Sequence, residues 1–149
     1  MPIHHPYTNV PLAAKYHHER LDGRGYPDGL YDREIPYIAK LVNLADSFDA
    51  MTTDRPYKAR RPAADVVDDL RRNAGKQFAP ELVTAFLRGM LKELTGDNKE
   101  KRFRKLLGRE YMEAEGIVPI LRTALNEMTP TSPLTYISAA TDGDQNTIL

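Results

Sequence analysis

The chain has 149 residues, of which 41% are hydrophobic and 28% charged, a composition typical of a globular protein rather than a disordered one. Its 21 basic residues balance its 21 acidic residues, so the overall charge favours neither DNA nor RNA as a partner. The absence of cysteine excludes disulfides and thiolate metal sites, and no apolar run approaches the roughly 20 residues of a membrane span. We expect a cytoplasmic protein that does not insert into membranes.

Helical spacing of apolar residues dominates the chain, and the sequence predicts an all-α fold because no alternating strand pattern is found. A first helix is predicted over residues 10–20. A glycine-rich loop is predicted over residues 22–34, with a turn at the sequence YPDG. Pro36 suits the first turn of a second helix. The core face of that helix is predicted from four residues at helical spacing: Ile38, Leu41, Ala45 and Phe48.

Two further helices are predicted from proline starts and glycine stops. One covers residues 60–75, with Pro62 near its beginning, Gly75 at its end and a core face of Val66, Val67 and Leu70. The other covers residues 79–96, begins near Pro80 and carries an apolar stripe of Leu82, Phe86, Met90 and Leu94. Weaker helices are predicted near 98–115 and 118–128, and residues 129–149 are predicted to form a disordered tail.

The pair His17–His18 stands directly before the charged, glycine-rich loop. Consecutive side chains on a helix point about 100° apart, so a single metal ion could hardly use both rings, whereas a cluster of two or more ions could. Two-metal sites polarise phosphates and activate water, and they need carboxylates as well. Asp46 is the best candidate, because an acid inside the most apolar helix is costly to desolvate unless something positive meets it. Asp49, one turn later, is a candidate outer partner or helix cap.

Each of these features also has a simpler interpretation. The histidine pair can be a surface feature, Asp46 can pair with an arginine, and the glycines can serve turn geometry alone. Glu19 and Arg20 can form a solvent-exposed face. The basic segment RPYKARR at 55–61 can be an exposed flank of a helix, although its position after the helix of Asp46 also suits contact with an anion.

Three segments together resemble the HD-GYP phosphodiesterases: HHERLDGRGYPDGL, similar to the family signature HHExxDGxGYPxGL, then IPYIAKLVNLADSFDAMTTDRPYKARRP, and finally AGKQFAPELVTAFL. The resemblance runs without a gap from residue 15 to residue 87. It implies a helical bundle of the HD phosphohydrolase type. It also implies a phosphodiesterase that hydrolyses cyclic di-GMP to linear pGpG or GMP, with a bi- or trinuclear centre of iron or manganese.

The resemblance also implies a role for each matching residue. His17, His18 and Asp46 correspond to metal ligands. Arg55 and Lys58 correspond to the basic pair that contacts the substrate, with Tyr26 as a further substrate contact, and Asp46 and Lys58 are the implied catalytic residues. The triplet Gly25, Tyr26 and Pro27 shapes a loop beside the site. In the family that loop is tied to recognition of signalling partners such as diguanylate cyclase domains.

The sequence departs from the family in its N-terminal part. The His-Asp dyad of the family lies upstream of the paired histidines, and no His-Asp pair occurs in this chain. Only His4 and His5 precede the pair. His5 is a conceivable substitute ligand, although its separation from His17 is much shorter than in the family.

We therefore expect residues 1–95 to form the C-terminal part of an HD-GYP domain without the N-terminal HD helices. A helical extension over 96–128 and a tail over 129–149 would follow. The apolar stripes would then lack partner helices, and a separate N-terminal half or a homo-oligomer would cover them. The chain is expected to be incomplete or inactive by itself. The alternative is a non-catalytic remnant that binds cyclic di-GMP or docks a signalling protein.

Overall fold

The computed structural model describes residues 9–96, 102–112 and 116–129, and the all-α prediction is confirmed. The helices are α1 (Asn9–Tyr16), α2 (Tyr37–Thr52), α3 (Ala63–Asn73), α4 (Pro80–Thr95), α5 (Arg102–Leu107), α6 (Arg109–Met112) and α7 (Ile117–Met128), with a 3-10 turn at Asp32–Glu34. Over these residues the backbone forms isolated bridges but no β-strand. No helix among them is both long enough and apolar enough to cross a membrane.

The core lies between α2, α3, α4 and α7. The predictions for α3 and α4 are confirmed, since Pro62 is the N-cap of α3 and Pro80 is the first residue of α4. Gly75 follows α3 with a φ of 82°, a left-handed conformation that favours glycine. Phe86 and Leu94 are partly buried and pack against the core. The remaining predicted core residues of the two helices are buried: Val66, Val67, Leu70, Leu82 and Met90.

The segment after α4 adds to the same core. Helix α7 packs against α3 and α4 and buries Leu121 and Ala124. Arg71 of α3 also forms a 2.8 Å ion pair with Glu127 of α7. The predicted helix at 118–128 is therefore confirmed, whereas the described residues of the predicted helix at 98–115 form two helices, α5 and α6. These two helices are separated at Gly108, whose φ is 87°. Most of the predicted tail, residues 130–149, lies outside the described residues.

The predicted core face of α2 is largely wrong. Leu41 is 44% exposed and Ala45 is exposed, whereas Phe48 is buried as predicted. The helix instead turns Asn43 and Thr52 inward, where each finds a hydrogen-bond partner. The Asn43 amide donates to the carbonyl of residue 19 at 2.7 Å, and the Thr52 hydroxyl donates to the carbonyl of Phe48 at 2.8 Å.

Helices α1 and α2 pack against each other, and several of their apolar side chains stay exposed. No residue of α1 is buried. Val10 is 60% exposed, Leu12 is 41% exposed, and Leu41 lies exposed on α2. The prediction that further helices cover this surface stays a prediction.

Candidate metal centre

The paired histidines lie in a tight turn just after α1. The predicted helix over 10–20 is too long, since α1 ends at Tyr16. The His17 N–H still donates to the Ala13 carbonyl at 3.1 Å, but the Glu19 N–H donates to the Tyr16 carbonyl at 3.0 Å and tightens the turn. The two imidazole centroids are 4.0 Å apart. The 100° divergence expected on a helix therefore does not apply, and both rings can serve one site.

The ring of His17 is oriented by the end of α1. Its Nδ1 atom lies 3.0 Å from the Ala13 carbonyl oxygen and 2.9 Å from that of Ala14. Carbonyl oxygens only accept hydrogen bonds, so Nδ1 carries the proton of the neutral ring. Nε2 then keeps the lone pair that a metal ion requires.

Asp46 of α2 completes the cluster. One ligand atom from each of His17, His18 and Asp46 lies within 4.8 Å of the other two. The carboxylate is exposed, so the prediction of a buried acid is wrong. The buried face of α2 runs through Asn43 and Phe48 instead, and it leaves the Asp46 side open. In the described part of the chain Asp46 forms no salt bridge, which disfavours the arginine-paired alternative.

The donor set suits a divalent transition metal. Two imidazoles and one carboxylate are ligands that iron, manganese and zinc all accept. Three donors leave the remaining coordination positions to water, substrate or other residues.

Asp49 has a different role, because its carbonyl accepts the Thr53 N–H at 3.0 Å and its carboxylate accepts the Thr53 hydroxyl at 3.1 Å. These contacts hold Thr53 at the end of α2, and the two roles predicted for Asp49 stay predictions.

Glu19 is buried, so its interpretation as part of a solvent-exposed face is wrong. The side chain is 1% exposed. Its carboxylate accepts backbone N–H groups from Asp28 at 2.6 Å, Gly29 at 3.0 Å and Leu30 at 2.9 Å. A buried carboxylate is tolerated when such donors replace water. The residue next to the candidate ligand His18 thereby fixes the far side of the glycine-rich loop.

The GYP triplet packs directly on the histidine turn. A Cβ atom at Gly25 would lie 2.5 Å from the carbonyl oxygen of His18 and from the backbone of Glu19 and Arg20, so only glycine fits. The Tyr26 N–H donates to the His18 carbonyl at 3.3 Å. The Tyr26 ring stacks on the His18 imidazole, with centroids 4.7 Å apart and planes inclined by 22°.

Arg20 ties the histidine turn to the α3–α4 connection. Its Nε and Nη2 atoms donate to the two carboxylate oxygens of Asp22 at 3.1 and 2.9 Å, and Nη1 donates to Gln77 at 2.9 Å. The hydrogen bond from Arg20 lowers the pKa of Asp22 below its ordinary value, which favours the charged carboxylate.

Gln77 extends this network to α2. Its amide nitrogen lies 3.4 Å from the side-chain oxygen of Asn43 and 3.3 Å from the hydroxyl of Ser47. These two residues flank Asp46 in the sequence. Asn43 in turn donates to the Glu19 carbonyl. Sequence reasoning missed these three polar residues. A polar residue inside an apolar helix, such as Asn43, was the available signal.

Arg55 and Lys58 form a separate basic turn after α2. The Arg55 N–H donates to the Lys58 carbonyl at 2.9 Å, and the Lys58 N–H donates to the Arg55 carbonyl at 3.0 Å. Asp46 lies six residues before the end of α2 at Thr52, about 9 Å along the axis at roughly 1.5 Å per residue. Both cations are exposed and, over the described ranges, neither forms a salt bridge. They are not members of the ligand cluster, and their predicted substrate contact stays a prediction. His4 and His5 lie outside the described residues.

Comparison with known proteins places this arrangement in a family. The family of HD domains matches residues 1–82. A cyclic di-GMP phosphodiesterase of Thermotoga maritima is 49% identical over 82 residues, which are 55% of this chain and 22% of that protein. A cyclic di-GMP phosphodiesterase response regulator of Xanthomonas campestris is 46% identical over 78 residues, 52% of this chain and 21% of that protein.

A third relative is named for a different substrate. The 3'3'-cGAMP-specific phosphodiesterase 3 of Vibrio cholerae is 33% identical over 85 residues, which are 57% of this chain and 18% of that protein. The matched part of the chain thus spans about a fifth of the length of these relatives. The family match covers more than half of the chain, and the histidine turn with its GYP loop lies inside it. The chain therefore belongs to the HD domain family, and its domain is of the HD-GYP type.

Proposed function

We propose that this chain supplies the second part of the active site of a metal-dependent phosphodiesterase that hydrolyses cyclic di-GMP to linear pGpG or GMP. The observation that carries the proposal is the convergence of His17, His18 and Asp46 within 4.8 Å. Relatives that match this segment are named phosphodiesterases of cyclic dinucleotides. The proposed setting is the cytoplasm.

His17, His18 and Asp46 would hold a divalent metal, for which we propose iron or manganese in a bi- or trinuclear centre. When bound, such a centre supplies Lewis-acid polarisation of the phosphate and activation of water. His17 contributes Nε2, since its Nδ1 is committed to α1. Asp46 has two carboxylate oxygens and is exposed, so it can bridge two cations. Its proposed catalytic role is to hold the metal there.

The substrate would be bound by exposed groups near the centre. Arg55 can contact a phosphate with its fork of N–H donors, and Lys58 can neutralise charge that develops on the phosphate oxygens. Tyr26 is 60% exposed although one face of its ring covers His18. Its open face is suited to stacking on a guanine base.

We expect Arg55→Ala and Lys58→Ala each to weaken cyclic di-GMP binding by about 1.5–3 kcal/mol, because each removes a charge-assisted contact. Isothermal titration calorimetry on the full chain with manganese present measures this change. Arg88→Ala, which removes an exposed arginine of α4, is the matched control and should leave affinity unchanged. Equal affinities for wild type and the Arg55/Lys58 double variant would remove the basic turn from the substrate site.

A non-catalytic role is the second candidate, and one observation favours it. No His-Asp pair occurs in the sequence, and the candidate centre has only three donors among the described residues. Such a module would bind cyclic di-GMP or dock a signalling protein through the loop of Gly25, Tyr26 and Pro27. Hydrolysis by a completed domain distinguishes the two candidates.

The exposed apolar side chains of α1 and α2 mark the proposed position of the missing part of the domain. They include Val10, Leu12 and Leu41. Covering them would bury apolar surface, and the added helices would bring further metal donors to the centre. We propose an N-terminal half domain as the partner, with a homo-oligomer as the alternative.

A further inference from the structure

The two histidines of the centre are held by different means. Hydrogen bonds to two carbonyls of α1 fix the His17 ring. In the part of the chain that the structure describes, the His18 ring forms no hydrogen bond and contacts the rings of His17 and Tyr26. His18 is also exposed, so it is not enclosed by a protein cavity that would restrict its rotamers. Its orientation therefore depends on ring packing.

We propose that Tyr26 is a positioning residue for the metal ligand His18, and that Glu19 holds Tyr26 in place through the glycine-rich loop. The inference rests on the proposed metal centre. On this inference, the buried side of the GYP loop orients a residue that binds the metal. Partner recognition would be left to the exposed side.

The stack is well placed to orient His18. The inclination of 22° and the centroid distance of 4.7 Å put the tyrosine over the imidazole face, which leaves the nitrogens at the ring edge open. Rotating His18 away would expose the covered faces of both rings. A side chain that already points correctly loses less rotamer entropy when a metal binds, so the stack should raise metal affinity.

Glu19 explains why the loop can hold Tyr26 rigidly. The residue pair His18–Glu19 contacts the loop at two places on either side of Pro27. On one side the Tyr26 N–H donates to the His18 carbonyl. On the other, three successive N–H groups from residues 28–30 converge on the Glu19 carboxylate. The exposed 2.8 Å ion pair between Lys15 and Asp28 adds a weaker link to α1.

Substitution of Tyr26 tests the inference through metal affinity. We expect Tyr26→Ala to lower the affinity for Co²⁺ by about tenfold, the lower end of the range for groups that orient a ligand. Tyr26→Phe keeps the stacked ring and should retain wild-type affinity. Visible absorbance of Co²⁺ during titration of the full chain gives both the affinity and the ligand geometry. Tyr37→Ala is the matched control, because Tyr37 is 61% exposed and lies at the start of α2.

Substitution of Glu19 tests the link through the loop. Glu19→Gln places an amide among three N–H donors, so we expect it to release the loop and lower Co²⁺ affinity by a similar factor. The Glu19→Gln/Tyr26→Ala double variant should lose no more than the larger single loss, because both changes act on the same ring. Glu93→Gln, a change at a glutamate that is 5% exposed in α4, controls for loss of a buried carboxylate. Thermal unfolding monitored by circular dichroism confirms that each variant is folded.

The outcomes separate this inference from the proposed function. If His18→Ala weakens Co²⁺ binding but Tyr26→Ala does not, the metal centre stands and the positioning role is wrong. Additive losses in the double variant would show that Glu19 does not act through Tyr26. If neither His17→Ala nor His18→Ala changes the affinity, the proposed metal centre itself fails.

Discussion

Alanine at both His17 and His18 is expected to lower the affinity for Mn²⁺ by more than the roughly 100-fold that loss of an outer-sphere partner causes. The reason is direct: the double substitution removes two of the three donors that converge in the candidate centre. The retained Asp46 carboxylate is exposed and would hold a hydrated ion only weakly. Calorimetric titration with Mn²⁺ and elemental analysis of the purified chain measure the change.

The sequence offers a matched control for this experiment, because it contains a second adjacent pair, His4 and His5. Alanine at both should leave Mn²⁺ affinity unchanged if His17, His18 and Asp46 are the ligands and His5 adds none. Equal metal content in the wild type and the His17/His18 variant would rule out the ligand assignment. Loss of metal from the His4/His5 variant would instead support His5 as a substitute ligand.

The second large effect is expected from completing the domain. The full chain should show negligible hydrolysis of cyclic di-GMP, because the three donors found among the described residues cannot saturate the proposed bi- or trinuclear centre. Fusion to the segment that precedes the matched residues in the Thermotoga maritima relative should supply the missing donors and cover the exposed side chains of Val10 and Leu41. We expect turnover to rise from background to on the order of 1 s⁻¹, the lower end of typical enzymes. Chromatographic detection of linear pGpG measures it.

The same fusion with Asp46→Asn is the control, since it removes the carboxylate proposed to bridge the metal ions and leaves the size of the side chain unchanged. It should return hydrolysis to background while the fusion remains folded. A fusion that binds cyclic di-GMP but never hydrolyses it would favour the non-catalytic module. Rapid hydrolysis by the unfused chain would mean that its own residues complete the centre.

Helices with local signals could be predicted from the sequence. Pro62 and Pro80 begin α3 and α4, and Gly75 lies just beyond the end of α3 as its left-handed conformation allows. The end of α1 could not be predicted in this way. It depends on the histidine turn and on Glu19. The Glu19 carboxylate accepts hydrogen bonds from the backbone of residues 28–30, about ten positions further along the chain. The spacing of apolar residues along the sequence does not indicate such contacts.

The convergence of His17, His18 and Asp46 was predictable, but the geometry of the cluster was not. The resemblance assigned His17, His18 and Asp46 to the metal centre, whereas reasoning from a helix separated the two rings and buried the acid. The orientation of α2 explains the second error. Asn43 turns inward because it donates to the Glu19 carbonyl and accepts from Gln77, and this rotates Asp46 outward. A partner 34 residues away in the sequence sets that rotation.

The most direct test of the account is an anomalous difference map from crystals of the full chain soaked in Mn²⁺. The account predicts a peak about 2.0–2.3 Å from Nε2 of His17, a ring nitrogen of His18 and a carboxylate oxygen of Asp46, distances typical of imidazole and carboxylate ligands. A peak bound by other residues, or full Mn²⁺ occupancy without these three contacts, would contradict the account.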